Sequence, residues 1–194
     1  MIKILFICHG NICRSVGAQY ILQDLVNRKK LAKDFLIDSA ATSTEEIGNP
    51  IYPPMKAALE RAHIPIGAHR ARQLRKEDYS LYDLFIGMDE ENEYYMRQIL
   101  GEDPDSKIHY LMEYTDSPEE IIEDPWYTRK FDHCTDQLNA AARGYWRTWL
   151  FKFPTAKVGQ YTEISTFSAM HPTPYRKLEV SLNRTSPGSA GRYR

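Results

Sequence analysis

No apolar run in the 194-residue chain is long enough to cross a bilayer. The nearest approach, the opening MIKILFICHG, is too short and is followed by no small-residue cleavage site. Neither a membrane span nor a secretory leader is expected. Cysteine is scarce: three in this length make no disulfide framework, and the odd count points to reduced thiols in the cytoplasm. Neither sign of charge dominates, since 25 Lys and Arg face 26 Asp and Glu, so nucleic acid and membrane are not expected as partners. There is no internal repeat and no Walker-type phosphate loop. His63 and His69 lack helical ligand spacing and His133-Cys134 has no obvious partners, so no metal and no cofactor is expected.

What is present is enough for one domain with a sizeable core. Hydrophobic residues make up 42% and charged residues 26%, which is ordinary for a soluble protein. The near-zero net charge hides an asymmetry. From Pro154 onward six bases face two acids, whereas the preceding residues carry 19 bases and 24 acids. Residues 154–194 are rich in Ser, Thr, Pro and Gly without a sustained period. They read as a basic tail, disordered or loosely packed, after a domain spanning 1–153. A docking arm is the functional alternative for the tail.

Lys3 to Ile7 is a short apolar run suited to a strand buried on both faces of a parallel sheet. A helix is expected over Val16 to Lys30, with Tyr20, Ile21, Leu25 and Val26 inward. Further strands are expected at Phe35–Asp38, Asp83–Met88 and Ile108–Met112. Helices are expected at Pro54–Ala62, at Glu90–Leu100 with Asp89 as N-cap, and at Phe131–Phe151, where only Gly144 interrupts the propensity. Strands alternating with helices predict an α/β fold: a four-stranded, mostly parallel sheet flanked by helices. Ligands of such sheets sit at the carboxyl ends of strands, which directs attention to the loop after the first one.

That loop reads Cys8-His9-Gly10-Asn11-Ile12-Cys13-Arg14-Ser15. Five residues between a Cys and an Arg can wrap so that backbone N–H groups point inward as an anion cradle, with the positive end of the next helix added. Gly10 and Asn11 tolerate the backbone angles such a wrap requires. Arg14 offers a planar fork for two phosphate oxygens. The same positive features stabilise a thiolate at Cys8, which would then be aimed at phosphorus. A buried cysteine at a strand end is the bland alternative, but it does not account for the Gly, Asn and Ser that fill the turn.

The stretch ICHGNICRS resembles the signature of the low-molecular-weight protein tyrosine phosphatases. The resemblance continues in family order through Asp38-Ser-Ala-Ala-Thr-Ser, Ile47-Gly-Asn-Pro, Ala71-Arg-Gln-Leu, Met88-Asp89 and Glu123-Asp-Pro-Trp-Tyr127, and so covers roughly residues 1 to 151. It departs at Val16, where the family usually has the proline that presets a first helical turn. The resemblance implies hydrolysis of phosphotyrosine in proteins by a cytoplasmic monomer, with Cys8 as nucleophile and Arg14 as phosphate clamp. It implies that Asp124 protonates the leaving phenolate and then activates water. Trp126 and Tyr127 would be pocket walls for the phenyl ring, with the variable stretch Thr44-Glu45-Glu46 opposite; that acidic pair should disfavour acidic phosphopeptides. Asn11, Ser15, Ser39 and His69 would form a hydrogen-bond network beneath the loop, with Asp89 orienting His69. The family also pairs the cysteines corresponding to Cys8 and Cys13 under oxidation. Alternatives remain. Arsenate reductases share the loop but need further cysteines, and only Cys134 is left. Phosphoarginine phosphatases tend to carry Thr where this chain has Ile12. A silent phosphate-binding module would be expected to lose Cys8, Arg14 or Asp124.

Overall fold

Along β1 (Ile2–Cys8) successive side chains enter two different buried layers, Ile4, Phe6 and Cys8 on one face and Leu5 and Ile7 on the other. A strand buried on both faces has no reason to alternate polar and apolar residues, which is why the run is almost wholly apolar. The computed structural model describes residues 1–152; the expected tail at 154–194 lies outside them. Around β1 the sheet has the order β2-β1-β3-β4, with β2 at Phe35–Ala41, β3 at Leu84–Gly87 and β4 at Ile108–Tyr110. Every pairing is parallel, so the expected four-stranded sheet is wholly rather than mostly parallel.

The helices are α1 (Arg14–Arg28), α2 (Pro53–Arg61), α3 (Asp78–Leu81), α4 (Glu90–Leu100), α5 (Pro125–Thr128) and α6 (Phe131–Lys152). One core layer joins the Ile4 face of β1 to Val16, Leu22 and Val26 of α1, Met55 and Leu59 of α2 and Leu138 of α6. The opposite layer joins Leu5, Ile7 and Phe85 to Met96 and Leu100 of α4. Four details depart from the sequence expectation. β2 runs on through Ser39-Ala40-Ala41, small residues that are buried and paired up to Cys8 opposite Ala41. β4 stops at Tyr110, because Glu113 reaches back to the Tyr110 N–H (2.9 Å) and starts a 3-10 turn over Leu111–Tyr114. α3 and α5 are single turns, too short to show a period. α1 begins at Arg14, two residues early, with Val16 fully buried in the core.

Gly144 sits in α6 without breaking it, for a packing reason. A Cβ there would lie 1.6 Å from the Tyr114 carbonyl oxygen, so only glycine lets the 3-10 turn approach the helix this closely. Gly144→Ala is expected to lower stability by about 3 kcal/mol or more, because the obstruction is backbone. An unchanged denaturant midpoint would show that the two segments do not meet in this way.

Candidate active site

The last residue of β1 is Cys8 and the first of α1 is Arg14, so the intervening loop closes over the carboxyl edge of the sheet. Its central residue, Asn11, is fully buried and left-handed, with φ of 58°. A non-glycine residue holds that conformation only when its surroundings enforce it. Here they do: the Asn11 amide donates to Ser15 Oγ (2.9 Å) and Ser39 Oγ (2.8 Å), and its oxygen accepts from the Arg72 N–H (3.2 Å). The Asn11 carbonyl accepts from His69 Nε2 at 2.7 Å, which requires the proton to be on that nitrogen. Burial lowers the His69 pKa, partly offset by the Asn11 carbonyl and Asp38.

This network directs a proton at the sulfur. Ser39 accepts from Asn11 and spends its own hydrogen on Gln19 Oε1 (2.6 Å). Ser15 also accepts from Asn11, so its single hydrogen is left for Cys8 Sγ at 3.1 Å. Gly10 needs no special backbone angle, contrary to expectation. Its role is spatial, since a Cβ would come within 3.1 Å of Glu46 Cγ. Ile12 is buried and offers no hydroxyl, and its carbonyl anchors the Tyr52 N–H at 3.0 Å. His9 stands at the mouth, 3.2 Å from Glu45. The N-terminus of α1 has no side-chain cap and no acidic residue in its first turn, which leaves its amides to an incoming anion.

Arg14 enters from the other side and is almost completely buried. One terminal nitrogen donates to Asp89 and to the Ile122 carbonyl (3.1 Å), and the other to Asp124 Oδ2 (2.5 Å). Burial opposes the guanidinium charge, but Cys8, Asp124 and Asp89 more than compensate, so its pKa lies above the ordinary value. Its Nε is buried and has no partner among the described residues. Such an atom is costly to leave unpaired unless a ligand completes it. Asp124 is the N-cap of α5, where it accepts from the Trp126 N–H at 2.9 Å.

Asp89 does not orient His69. It caps α4 through the Asn92 N–H (2.8 Å) and holds Arg14. The strand order explains the difference. Asp89 follows β3, on one side of β1, while the His69–Arg72 segment runs beside the end of β2 on the other, where Arg72 and Leu74 bond Ala41.

The model of the family "Low molecular weight phosphotyrosine protein phosphatase" matches residues 3–152. The human protein of that name is 37% identical over 135 residues, covering 67% of this chain and 83% of its own. The Bacillus subtilis low molecular weight protein-tyrosine-phosphatase YfkJ is 38% identical over 133 residues, covering 68% and 85%. The crystal structure of YfkJ aligns with a TM-score of 0.74 at 32% identity, over 78% of this chain and 96% of that one. The low molecular weight protein tyrosine phosphatase of Streptococcus pyogenes gives 0.70 at 28% identity, over 83% and 99%. This chain belongs to the low molecular weight phosphotyrosine protein phosphatase family.

For this phosphatase-family chain the structure gathers Cys8, Arg14, Ser15, Asn11, Ser39, His69, Asp89 and Asp124 around one loop, with Asp89 bonded to Arg14 and Asn92 and not to His69. Trp126 and Tyr127 stand exposed beside Asp124. Three contributors had no assigned role. Arg72 lies in the Ala71-Arg-Gln-Leu motif, and its backbone holds Asn11 while its side chain is tied to Asp38 (3.1 Å) and Asp78 (3.1 Å). Gln19 closes the serine relay and carried no sequence signal. Tyr52, in Ile51-Tyr-Pro-Pro, packs on Trp126 with ring centres 4.9 Å apart. Burial, then the charge of Cys8, pushes the Cys13 thiol well up, and burial pushes Cys134 up to about 12, so both are protonated at neutral pH. Among the described residues no His, Cys, Asp and Glu cluster is placed to hold a metal, and no helix is long and apolar enough to cross a membrane.

Proposed function

We propose that this phosphatase hydrolyses phosphotyrosine in proteins through a phosphocysteine formed on Cys8. The observation that carries the reading is the buried, unpartnered Nε of Arg14, on a guanidinium already bound electrostatically to Cys8 and hydrogen-bonded to Asp124. A phosphate dianion entering the cradle supplies the missing acceptor and competes with Asp124 for the guanidinium. Asp124, released from the guanidinium, then faces the phenolic oxygen as the general acid. The Cys8 thiolate attacks phosphorus as the bond to the phenolic oxygen breaks and Asp124 protonates the leaving group. Arg14 and the loop amides stabilise the charge that develops on the equatorial oxygens. In the second step Asp124 takes a proton from water, which displaces the Cys8 thiolate and releases phosphate.

Exposed Trp126 and Tyr127 suit an aryl ester better than a guanidino one, and the absence of a hydroxyl on Ile12 points the same way. The three thiols are free, which suits the reducing cytoplasm; the substrates in this reading are phosphotyrosine-containing proteins. Asp124→Asn is expected to lower turnover by about 10²–10⁴-fold. The loss should be greatest for phosphotyrosine, a poor leaving group, and smaller for activated aryl phosphates. An equal loss for both would assign Asp124 a structural role.

Reversible oxidation belongs to the same proposal. Peroxide converts the Cys8 thiolate to a sulfenic acid, and the Cys13 thiol displaces water from it to form a disulfide. Part of what holds Cys13 protonated is the negative charge at Cys8, and that part disappears once Cys8 carries a neutral sulfenic acid. After peroxide and then a thiol reductant, the native enzyme should recover most activity and Cys13→Ser much less. Equal recovery would leave Cys13 as packing.

A further inference from the structure

We infer that the mouth of the site is electrically polarised, and that it selects phosphotyrosine peptides with an acidic side chain on the Trp126 side and a basic one on the Glu45 side. This rests on the phosphotyrosine reading above and names the substrate class within it.

One rim is built by the segment leaving β2, which is tied to the phosphate loop by the Thr42 N–H to the Cys8 carbonyl (2.9 Å) and the Ser43 N–H to the His9 carbonyl (3.0 Å). It carries Glu45, whose side chain is 71% exposed beside His9, and Glu46, which lies across Gly10 and accepts from Asn49 at 2.6 Å. The opposite rim is α5 and the residue that ends it. Arg129 is exposed and left-handed, with φ of 61° and ψ of 13°. That turn brings its guanidinium back to 5.4 Å over the Trp126 ring and 3.3 Å from the Tyr52 hydroxyl. Both partners are uncharged, and no carboxylate pairs with Arg129 among the described residues. The adjacent Lys130 is only loosely paired with Glu123, at 3.9 Å.

One rim meets the loop at His9 and Gly10, and the other begins at Asp124, which is bonded to Arg14. A phosphotyrosine ring resting on Trp126 leaves its peptide backbone at the mouth, where flanking side chains meet Arg129 and Lys130 in one direction and Glu45 and Glu46 in the other. An acidic flank gains a cation that has no carboxylate of its own, and it is repelled on the opposite rim. The acidic pair therefore disfavours acidic residues on one flank, not acidic peptides as a class.

The test uses two phosphotyrosine peptides of identical composition, one with acids before and bases after the phosphotyrosine and the other reversed. The readout is the ratio of their kcat/KM values within each protein, so any general loss in a variant cancels. The native enzyme should prefer one order by about fivefold, the scale of an exposed charge pair, and the ratio should shrink toward one in about 1 M salt. Exchanging the rim charges, Arg129→Glu with Glu45→Lys, should invert the preference. A native ratio of one, or a preference that survives the exchange, overturns the inference while leaving phosphotyrosine hydrolysis in place. Hydrolysis of a simple aryl phosphate but of neither peptide would instead overturn the phosphotyrosine reading itself.

Discussion

Cys8→Ser should lose turnover on aryl phosphates by on the order of 10⁶-fold, the scale seen when a covalent nucleophile is removed, while phosphate or vanadate still binds. The two halves of the result have separate causes. The proposed cradle draws on loop amides, the uncapped start of α1 and Arg14, none of which the substitution touches. The proposed chemistry requires an anion at the end of β1, and a serine hydroxyl, far less acidic than a thiol, stays protonated in contact with the Ser15 hydroxyl. The Ser15 hydrogen, free to stabilise a thiolate at 3.1 Å, would merely be shared with another hydroxyl. Steady-state assays with vanadate inhibition separate binding from turnover. A variant retaining more than a small fraction of the native rate would move the nucleophile elsewhere.

Arg14→Lys should cost about 10²–10³-fold in kcat/KM, the range found when a single transition-state donor is lost, despite preserving the charge. Arg14 does several jobs at once with fixed geometry: it holds Asp89, the buried Ile122 carbonyl and Asp124, and its Nε, without a partner among the described residues, is left for the proposed phosphate contact. A lysine has one nitrogen and cannot span them. Ile122 is fully buried, so its carbonyl would be left unpaired, and a fall in melting temperature should accompany the kinetic loss. Vanadate affinity should weaken with kcat/KM. A loss below tenfold with unchanged vanadate affinity would mean that a point charge is sufficient at this position.

The candidate site's loop was legible in the sequence because its residues are local. Cys8, Arg14 and the left-handed Asn11 lie within one strand-to-helix turn, and residue type alone suggests the roles proposed for them. The sheet was legible because β1 and β3 are short apolar runs between helical stretches. The links between distant segments were not legible. Nothing in the order of residues says that Asp89 and His69 fall on opposite sides of β1; that follows from strand order. Gly144 reads as a weak helix residue until the Tyr114 carbonyl is seen against it. The Pro125 after Asp124 did carry a signal for a helical first turn, yet four residues are too few to show a period. Tyr52 and Arg129 meet Trp126 only through the fold.

The most direct measurement is to follow a phosphotyrosine peptide through rapid mixing, quench during turnover, and map the phosphoryl group by mass spectrometry. A phosphoryl group on the peptide containing Cys8, assigned to that residue by fragmentation and absent from Cys8→Ser, is the expected result. It should form at least as fast as phosphate is released and persist longer when Asp124 is replaced by Asn. Phosphate release with no phosphorylated protein, or with the group on His9 or Cys13 instead, would contradict a phosphocysteine at Cys8.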